Sequence, residues 1–270
     1  KKFIPLTEKN KKFNFPILRG AVHLFESLKI GTQTLQWSAD IAMPEEEKSN
    51  KFIEGLMTFL AIALAISIFF GIPYLITNYF SDMYNSEFIF NLFAGIIRIV
   101  FFITYLLIIS QMQDAKNLFK YHGAEHKTVY TFESGKQLDI EETYSFPTQH
   151  PRCGTSFMFI VLLSAIIIFS LVDSLLLYIL GNISLPIRLI VHLPMIPLVA
   201  GLSYEVIKIT ARKQSFIFKI LRAPGLWLQN ITTQNPDNDM VEVAIIALKE
   251  AFGDKYDEMV GKEYVAEAIG

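Results

Sequence analysis

Three of the chain's five histidines, its single cysteine and a carboxylate crowd into residues 122–153, as His122-Gly-Ala-Glu125-His126 and His150-Pro-Arg-Cys153. Imidazole and thiolate are the donors that zinc prefers. On a helix His122 and His126 stand at i and i+4 and share a face, as the histidine pair of the zinc peptidases does. Glu125 borders that face. The order H-x-x-E-H is the reversed form of the peptidase motif, in which the carboxylate acts as base toward a metal-activated water. His150 and Cys153 form a short local clip stiffened by Pro151. A thiolate placed just before a helix gains from the helix dipole and its free N–H groups. If His122, His126, His150 and Cys153 all ligate, the shell is closed and the zinc is a structural staple. If one of them stands back, the site is open and hydrolysis becomes available. Glu125 inclines the balance toward the open site, because a carboxylate beside the ligands suits a general base. His23, which stands alone, is expected to be an ordinary hydrogen-bonded polar residue.

The elements that must hold these clusters are apolar. The chain is 52% hydrophobic with a mean hydropathy of +0.37, above the range of an ordinary soluble domain. Residues 55–80, 88–110, 154–180 and 185–210 are each long enough to cross a hydrocarbon core about 30 Å thick as helices. Gly71 and Pro73 predict a kink in the first. If the second runs on as a helix through residues 111–131, that helix carries His122 and His126. Arg98, Asp173, Arg188 and His192 fall inside the spans, where Asp173 can pair with Arg98 or Arg188. An ion pair that locks the helices and a substrate or proton pathway both remain open. Glu205, near the end of the fourth span, lies at the level of Cys153 as a further ligand or a supporting carboxylate.

Loop charge predicts the orientation. Residues 81–87 and 181–184 contain no Lys or Arg, whereas Lys116, Lys120, Lys127, Lys136 and Arg152 fill the central loop. Lys208, Arg212, Lys213, Lys219 and Arg222 follow at the end of the fourth span. Positive loops stay in the cytoplasm, so both termini and the His/Cys loop are expected there. The expected fold is an all-α integral membrane protein of four transmembrane helices with cytoplasmic amphipathic helices. Its parts are residues 1–50 (an interfacial N-terminal segment), 51–210 (the spans, with the metal-binding loop 111–153) and 211–270 (a helical C-terminal segment). Leu18, Val22, Phe25, Leu28 and Leu35 give the N-terminal segment its apolar face. Pro44 and Glu45–Glu47 suit the first turn of the helix entering the membrane. In the last segment a break is expected at Ala223-Pro224-Gly225. A turn should follow at residues 235–238, then a helix started by Asp239 and Glu242, with Val241, Ile245, Leu248 and Phe252 on one side.

A formal charge of −2 and the lack of a basic, aromatic-laced stripe argue against nucleic-acid binding. One cysteine cannot make an intramolecular disulfide. No cleavable secretory signal is evident in the first thirty residues.

Several runs together resemble the DUF1385 family of YqhQ-like bacterial membrane proteins. They are Tyr121-His-Gly-Ala-Glu-His-Lys-Thr128, His150-Pro-Arg-Cys-Gly-Thr-Ser-Phe157, Gly201-x-Ser-Tyr-Glu205 and Pro224-Gly-Leu-x-Leu-Gln229 followed by Thr232-Thr233, with Leu18-Arg-Gly20 and Ser38-Ala39 upstream. The similarity spans residues 17–252. Members are described as predicted metal-dependent enzymes without an assigned reaction, and most begin with a Gly-rich segment ahead of this region. The resemblance implies metal-site roles for His122, Glu125, His126, His150 and Cys153. The expected protein is a multi-pass component of a bacterial cytoplasmic membrane that binds Zn2+. It is expected to be a hydrolase acting on a peptide or a lipid-linked substrate, with Glu125 activating water. The alternative is a non-enzymatic scaffold or membrane-protein assembly factor stapled by zinc. A partner in the membrane is compatible with either.

Overall fold

The computed structural model describes residues 15–42, 51–80, 86–151, 153–181, 183–212 and 215–264. The expectations for Pro44, Glu45–Glu47 and Arg152, and for the side chain of His23, lie outside the described residues. What is described is helical, with one isolated β-bridge between Ser134 and Glu263. In chain order the helices are α1 (Leu18–Ala42), α2 (Lys51–Ile66), α3 (Ile72–Tyr79), α4 (Glu87–Ile109), α5 (Gln113–Glu133) and α6 (Ile140–Tyr144). There follow α7 (Gly154–Leu180), α8 (Leu185–Arg212), α9 (Phe216–Thr232), α10 (Asn238–Phe252) and α11 (Tyr256–Met259).

Among the described residues, four segments are long and apolar enough to cross a membrane: Gly55–Tyr79, Phe88–Ile109, Gly154–Leu180 and Leu185–Thr210. Most of their large apolar side chains are exposed, Phe59, Leu64, Ile108, Leu171 and Ile190 among them. Such surfaces need an apolar solvent, and hydrocarbon supplies one. The protein is a membrane protein. The first span carries a π-helical turn at Ser67–Gly71, in which the Ile72 N–H reaches back to the Ser67 carbonyl. Pro73 follows and has no N–H to give, so the irregular turn falls where the sequence predicts a kink.

The chain divides into two compact units. Of the described residues, one contains those up to Ile103 and Leu162–Leu202; the other contains Thr104–Val161 and those from Ser203 onward. The predicted segment 51–210 contributes to both. In the first unit α1 lies within the predicted N-terminal segment, and its apolar Leu18, Phe25, Leu28 and Leu35 are all exposed. At Gly201 a Cβ would collide with the carbonyl of Ile17, so a side chain there would push the start of α1 away.

The second unit has its own small apolar core. Ala124, Phe132, Leu138, Val241 and Ile245 are buried together, with Leu248 and Phe252 packed on them. The predicted face of α10 is therefore the buried one. Burying Val241 and Ile245 stabilises the unit by about 1.5–3 kcal/mol each. Two local expectations are corrected in this unit, and one condition left open is not met. The second span does not continue into the histidine helix: α4 ends at Ile109, and Met112 is extended (φ −72°, ψ 141°) before α5 begins. Ser110 Oγ and Gln111 Nε2 both turn back to the Leu107 carbonyl, competing with the helical ladder there. Nor does the chain break at Pro224, which sits inside α9. Gly225 next to it lies against Ser156, where a Cβ would come within 2.7 Å of the serine oxygen. Finally, α10 starts from Asp237 rather than Asp239, and the Asp237 carboxylate takes the Lys120 ammonium at 2.9 Å instead of capping the helix.

Candidate metal centre

Helix α5 puts His122 and His126 one turn apart with ring centroids 4.4 Å from each other. Two of the residues between them, Gly123 and Ala124, serve the packing on the other side. Ala124 is fully buried in the core, and Gly123 lets the chain at Gln234 cross the helix. The Gln234 N–H donates to the Phe119 carbonyl at 2.9 Å, and any Cβ on Gly123 would collide with the Gln234 carbonyl. That crossing brings the Thr232 carbonyl to His122.

Both histidines are oriented through Nδ1. His122 Nδ1 lies 2.8 Å from the Thr232 carbonyl, and His126 Nδ1 bonds the Thr148 carbonyl. A carbonyl can only accept, so each Nδ1 carries the proton and each Nε2 keeps its lone pair. This is the arrangement that outer partners impose on metal-binding imidazoles. Lys127 secures the loop that presents Thr148. Its buried ammonium donates to the Tyr144 carbonyl at 3.1 Å and to that of Phe146. Burial lowers its pKa.

Cys153 immediately precedes α7. Its sulfur lies 3.3 Å from His122 Nε2 and accepts the Thr155 N–H at 3.4 Å. One ring nitrogen from each of His122 and His126 and the Cys153 sulfur lie within 4.8 Å of one another. Burial resists ionisation of the thiol, but hydrogen bonds from His122, His126 and Thr155 outweigh it and bring its pKa to about 5. Burial likewise resists charge on His122, yet the hydrogen bond and charge of Cys153 raise its pKa. Sulfur and His122 Nε2 are thus in contact across a single proton, and a cation that displaced it would find both the sulfur and the Nε2 lone pair ready to bind.

His150 is not one of the three converging donors. Gln229, fully buried, clamps its backbone: Oε1 accepts the His150 N–H at 2.6 Å and Nε2 donates to the His150 carbonyl at 2.9 Å. The same Nε2 donates to Ser156 Oγ at 2.8 Å. So held, the ring sits 4.5 Å from that of Tyr130, with Nε2 3.4 Å from a Glu133 carboxylate oxygen. Burial, with the nearby charge of His126, lowers its pKa to about 4. A folded-state pKa below the unfolded 6.5 means that the unfolded chain takes up the proton first. Acidifying metal-free protein from pH 6.5 to 4 should therefore destabilise this unit by up to about 3 kcal/mol. His150→Gln should flatten that part of a pH-dependent melting curve.

Glu125 is exposed on α5, and its charge acts on both His122 and His150. Glu205 is half-buried on α8 and lies outside the three-donor group. Arg98, Asp173, Arg188 and His192 belong to the other unit.

The family model described as "Protein of unknown function (DUF1385)" matches residues 15–254. The chain belongs to the DUF1385 family. It is also similar to the "Uncharacterized protein YqhQ" of Bacillus subtilis (strain 168), with 28% identity over 263 residues, 89% of this chain and 79% of that protein. No solved structure matches it. In this DUF1385 protein, two residues central to the site, Glu133 and Gln229, had no role on sequence grounds. Glu133 had a readable signal, since it stands seven residues after His126 and so on the same helical face. Gln229 stood only at the end of one of the family runs, because its partners, His150 and Ser156, are distant in sequence.

Proposed function

We propose that this protein is an integral-membrane, zinc-dependent hydrolase that acts at the cytoplasmic membrane face on a peptide or a lipid-linked substrate. One observation carries this: three protein donors converge, while the fourth candidate, His150, is turned to Glu133. Catalytic zinc sites keep three protein ligands and one exchangeable position, whereas structural sites are filled by four. The donor set fits zinc in kind as well as number. Two imidazoles with free Nε2 lone pairs and an ionised sulfur would hold it, with Thr232, Thr148 and Thr155 orienting them.

A bound zinc ion would supply Lewis acidity and make water a nucleophile near neutral pH. The chain's own part is to place a base and admit substrate. Glu125, exposed beside the donors, would accept the proton of the attacking water and return it to the leaving group. Substrate from the bilayer suits the surroundings. Helix α9, which supplies Thr232 and Gln229 to the site, begins four residues after α8 ends, and Phe216, Ile217, Ile220 and Trp227 are exposed along one of its sides. The lysines and arginines of residues 111–153 favour the cytoplasmic face.

Elemental analysis of the purified full chain should find about one zinc per protein. After exchange to Co2+, acetohydroxamate or azide should shift the visible bands by entering the exchangeable position. Glu125→Gln should keep the metal and the spectrum, while membranes of cells carrying it accumulate a peptide or lipid species that the wild type removes. A metal shell made only of protein donors and indifferent to both anions would replace the enzyme with a zinc-stapled scaffold or assembly factor.

A further inference from the structure

Helix α9 has three faces. Gly225, Leu228, Gln229 and Thr232 are buried within the second unit. Phe216, Ile217, Ile220, Leu221 and Trp227 are exposed, and at the helical period they share one side. Lys219 and Arg222 stand on the remaining flank. The charge along this stretch has one sign. Residues 206–236 include Lys208, Arg212, Lys213, Lys219 and Arg222 but no Asp or Glu.

The start and the second half of α9 are both tied to the ends of membrane spans, all within the second unit. The helix begins six residues after the fourth span ends at Thr210. Its second half lies against the first turn of the third span, which starts at Gly154. There Gln229 Nε2 donates to Ser156 Oγ at 2.8 Å, Thr232 Oγ1 is 3.4 Å from Thr155 Oγ1, and a Cβ on Gly225 would strike Ser156. Seventeen helical residues extend about 25 Å. A rod held to span ends in this way runs along the boundary between hydrocarbon and water rather than away from it. Five large apolar side chains exposed at that boundary are costly in water, and the acyl chains of the adjoining bilayer remove the cost.

We propose that α9 lies in the headgroup layer of the bilayer, with its apolar side on the acyl chains and Lys219 toward the lipid phosphates. An apolar side paired with a cationic flank is the pattern of helices that lie in a membrane surface. The lysine stem lets the ammonium reach the phosphates while the helix axis sits lower. The lipid surface is thus the partner of this side. The depth of the metal centre follows from it, because Thr232 and Gln229 leave the same helix for that site. The inference does not rest on the hydrolase reading, since no metal enters it and its test reads α9 alone.

Trp227 reports the depth directly. The chain has two tryptophans, Trp37 and Trp227, so Trp37→Phe leaves only the one on α9. The full chain with this change is placed in phosphatidylcholine–phosphatidylglycerol nanodiscs. Its fluorescence is quenched by lipids brominated near the glycerol end or near the methyl end of an acyl chain, and separately by acrylamide in the buffer. Bromine near the glycerol should quench about twofold or more above bromine near the methyl end, because surface helices sink only about 5–10 Å. Adding Ile217→Glu and Ile220→Glu should cut that shallow quenching by about half or more, with helix content unchanged. If this variant does not fold, Ile217→Ser takes its place and should lower the quenching in the same direction. If Trp37→Phe does not fold, the same signal is read as the quenching that wild type loses on Trp227→Phe. Quenching by acrylamide but not by lipid bromine would put α9 in water and overturn the proposal. Protection from all three quenchers would mean that a second copy or another protein covers this side, and would overturn it too. So would quenching that is strongest from the methyl end, or unchanged by the isoleucine substitutions.

Discussion

Cys153→Ser is expected to strip the protein of metal, from about one zinc per chain to below about a tenth, with helix content unchanged. A hydroxyl in place of the sulfur removes the one anionic donor of the three. Outer-sphere changes alone cost about 10–100-fold in metal affinity, and loss of a ligand costs more. The histidine beside it loses its partner too. His122 owes its raised pKa to Cys153, so in the serine variant it should titrate lower, visible in the proton NMR of a His-labelled sample. His150→Gln is the matching control. Its ring faces Glu133 and not the shared point, so metal content should survive. Equal loss of zinc in both variants would mean that His150 swings in to complete a four-donor shell, and the open-site argument would fail.

The second large effect is expected at a residue that touches no metal. Gln229→Leu deletes the clamp on His150 and takes the partner from its buried N–H and from Ser156 Oγ, while the His150 carbonyl keeps the Cys153 N–H. Each buried polar group left unsatisfied costs about 1–3 kcal/mol, so the unit should lose roughly 3 kcal/mol or more, measured as a fall in Tm. Metal retention should fall with it. The Cys153 N–H donates to the His150 carbonyl at 3.3 Å, so the turn that carries the sulfur hangs on the clamp. Gln229→Glu separates shape from hydrogen bonding. It has the same outline and can still accept the His150 N–H, but it cannot donate to the His150 carbonyl or to Ser156. A Glu variant as stable and as metal-replete as wild type would show that side-chain volume alone positions the turn.

The two pairs of variants bear on different levels of the same arrangement. Cys153 tests the donors themselves, and Gln229 tests the backbone that presents them. The Nδ1–H bonds to Thr232 and Thr148 belong to the second level, because they turn each imidazole without touching the convergence point. Core packing supports both levels from behind. Ala124 and Gly123, the small residues inside the His-Gly-Ala-Glu-His run, are there because α5 must meet α10 and the chain at Gln234 closely.

Much of this was legible along the chain. The four spans lie where unbroken apolar runs predicted them, to within a residue or two at each end, because burial in hydrocarbon depends on composition and length alone. The i, i+4 histidine pair, the apolar face of α10 and the irregular turn before Pro73 are likewise local, each following from helical periodicity or from a missing N–H. What the sequence did not show has one tertiary cause and one local cause. Pro224 signals a break, yet α9 continues through it because Gly225 packs on Ser156 and Gln229 must reach His150. The stretch Ser110-Gln111-Met112 has no Gly or Pro, yet the helix ends there as two side chains claim a single carbonyl.

By itself, then, the order of residues determined which segments are apolar helices and which side chains can bind a metal, since both are properties of short stretches and their chemistry. Only the folded chain decided how many of those donors meet and that His150 turns to Glu133. It also decided that Arg188, Asn91 and His192 all meet the carboxylate of Asp173. These depend on contacts between residues up to 110 positions apart, such as His122 with Thr232. No periodicity or spacing encodes them, because they arise from the packing of whole helices against one another.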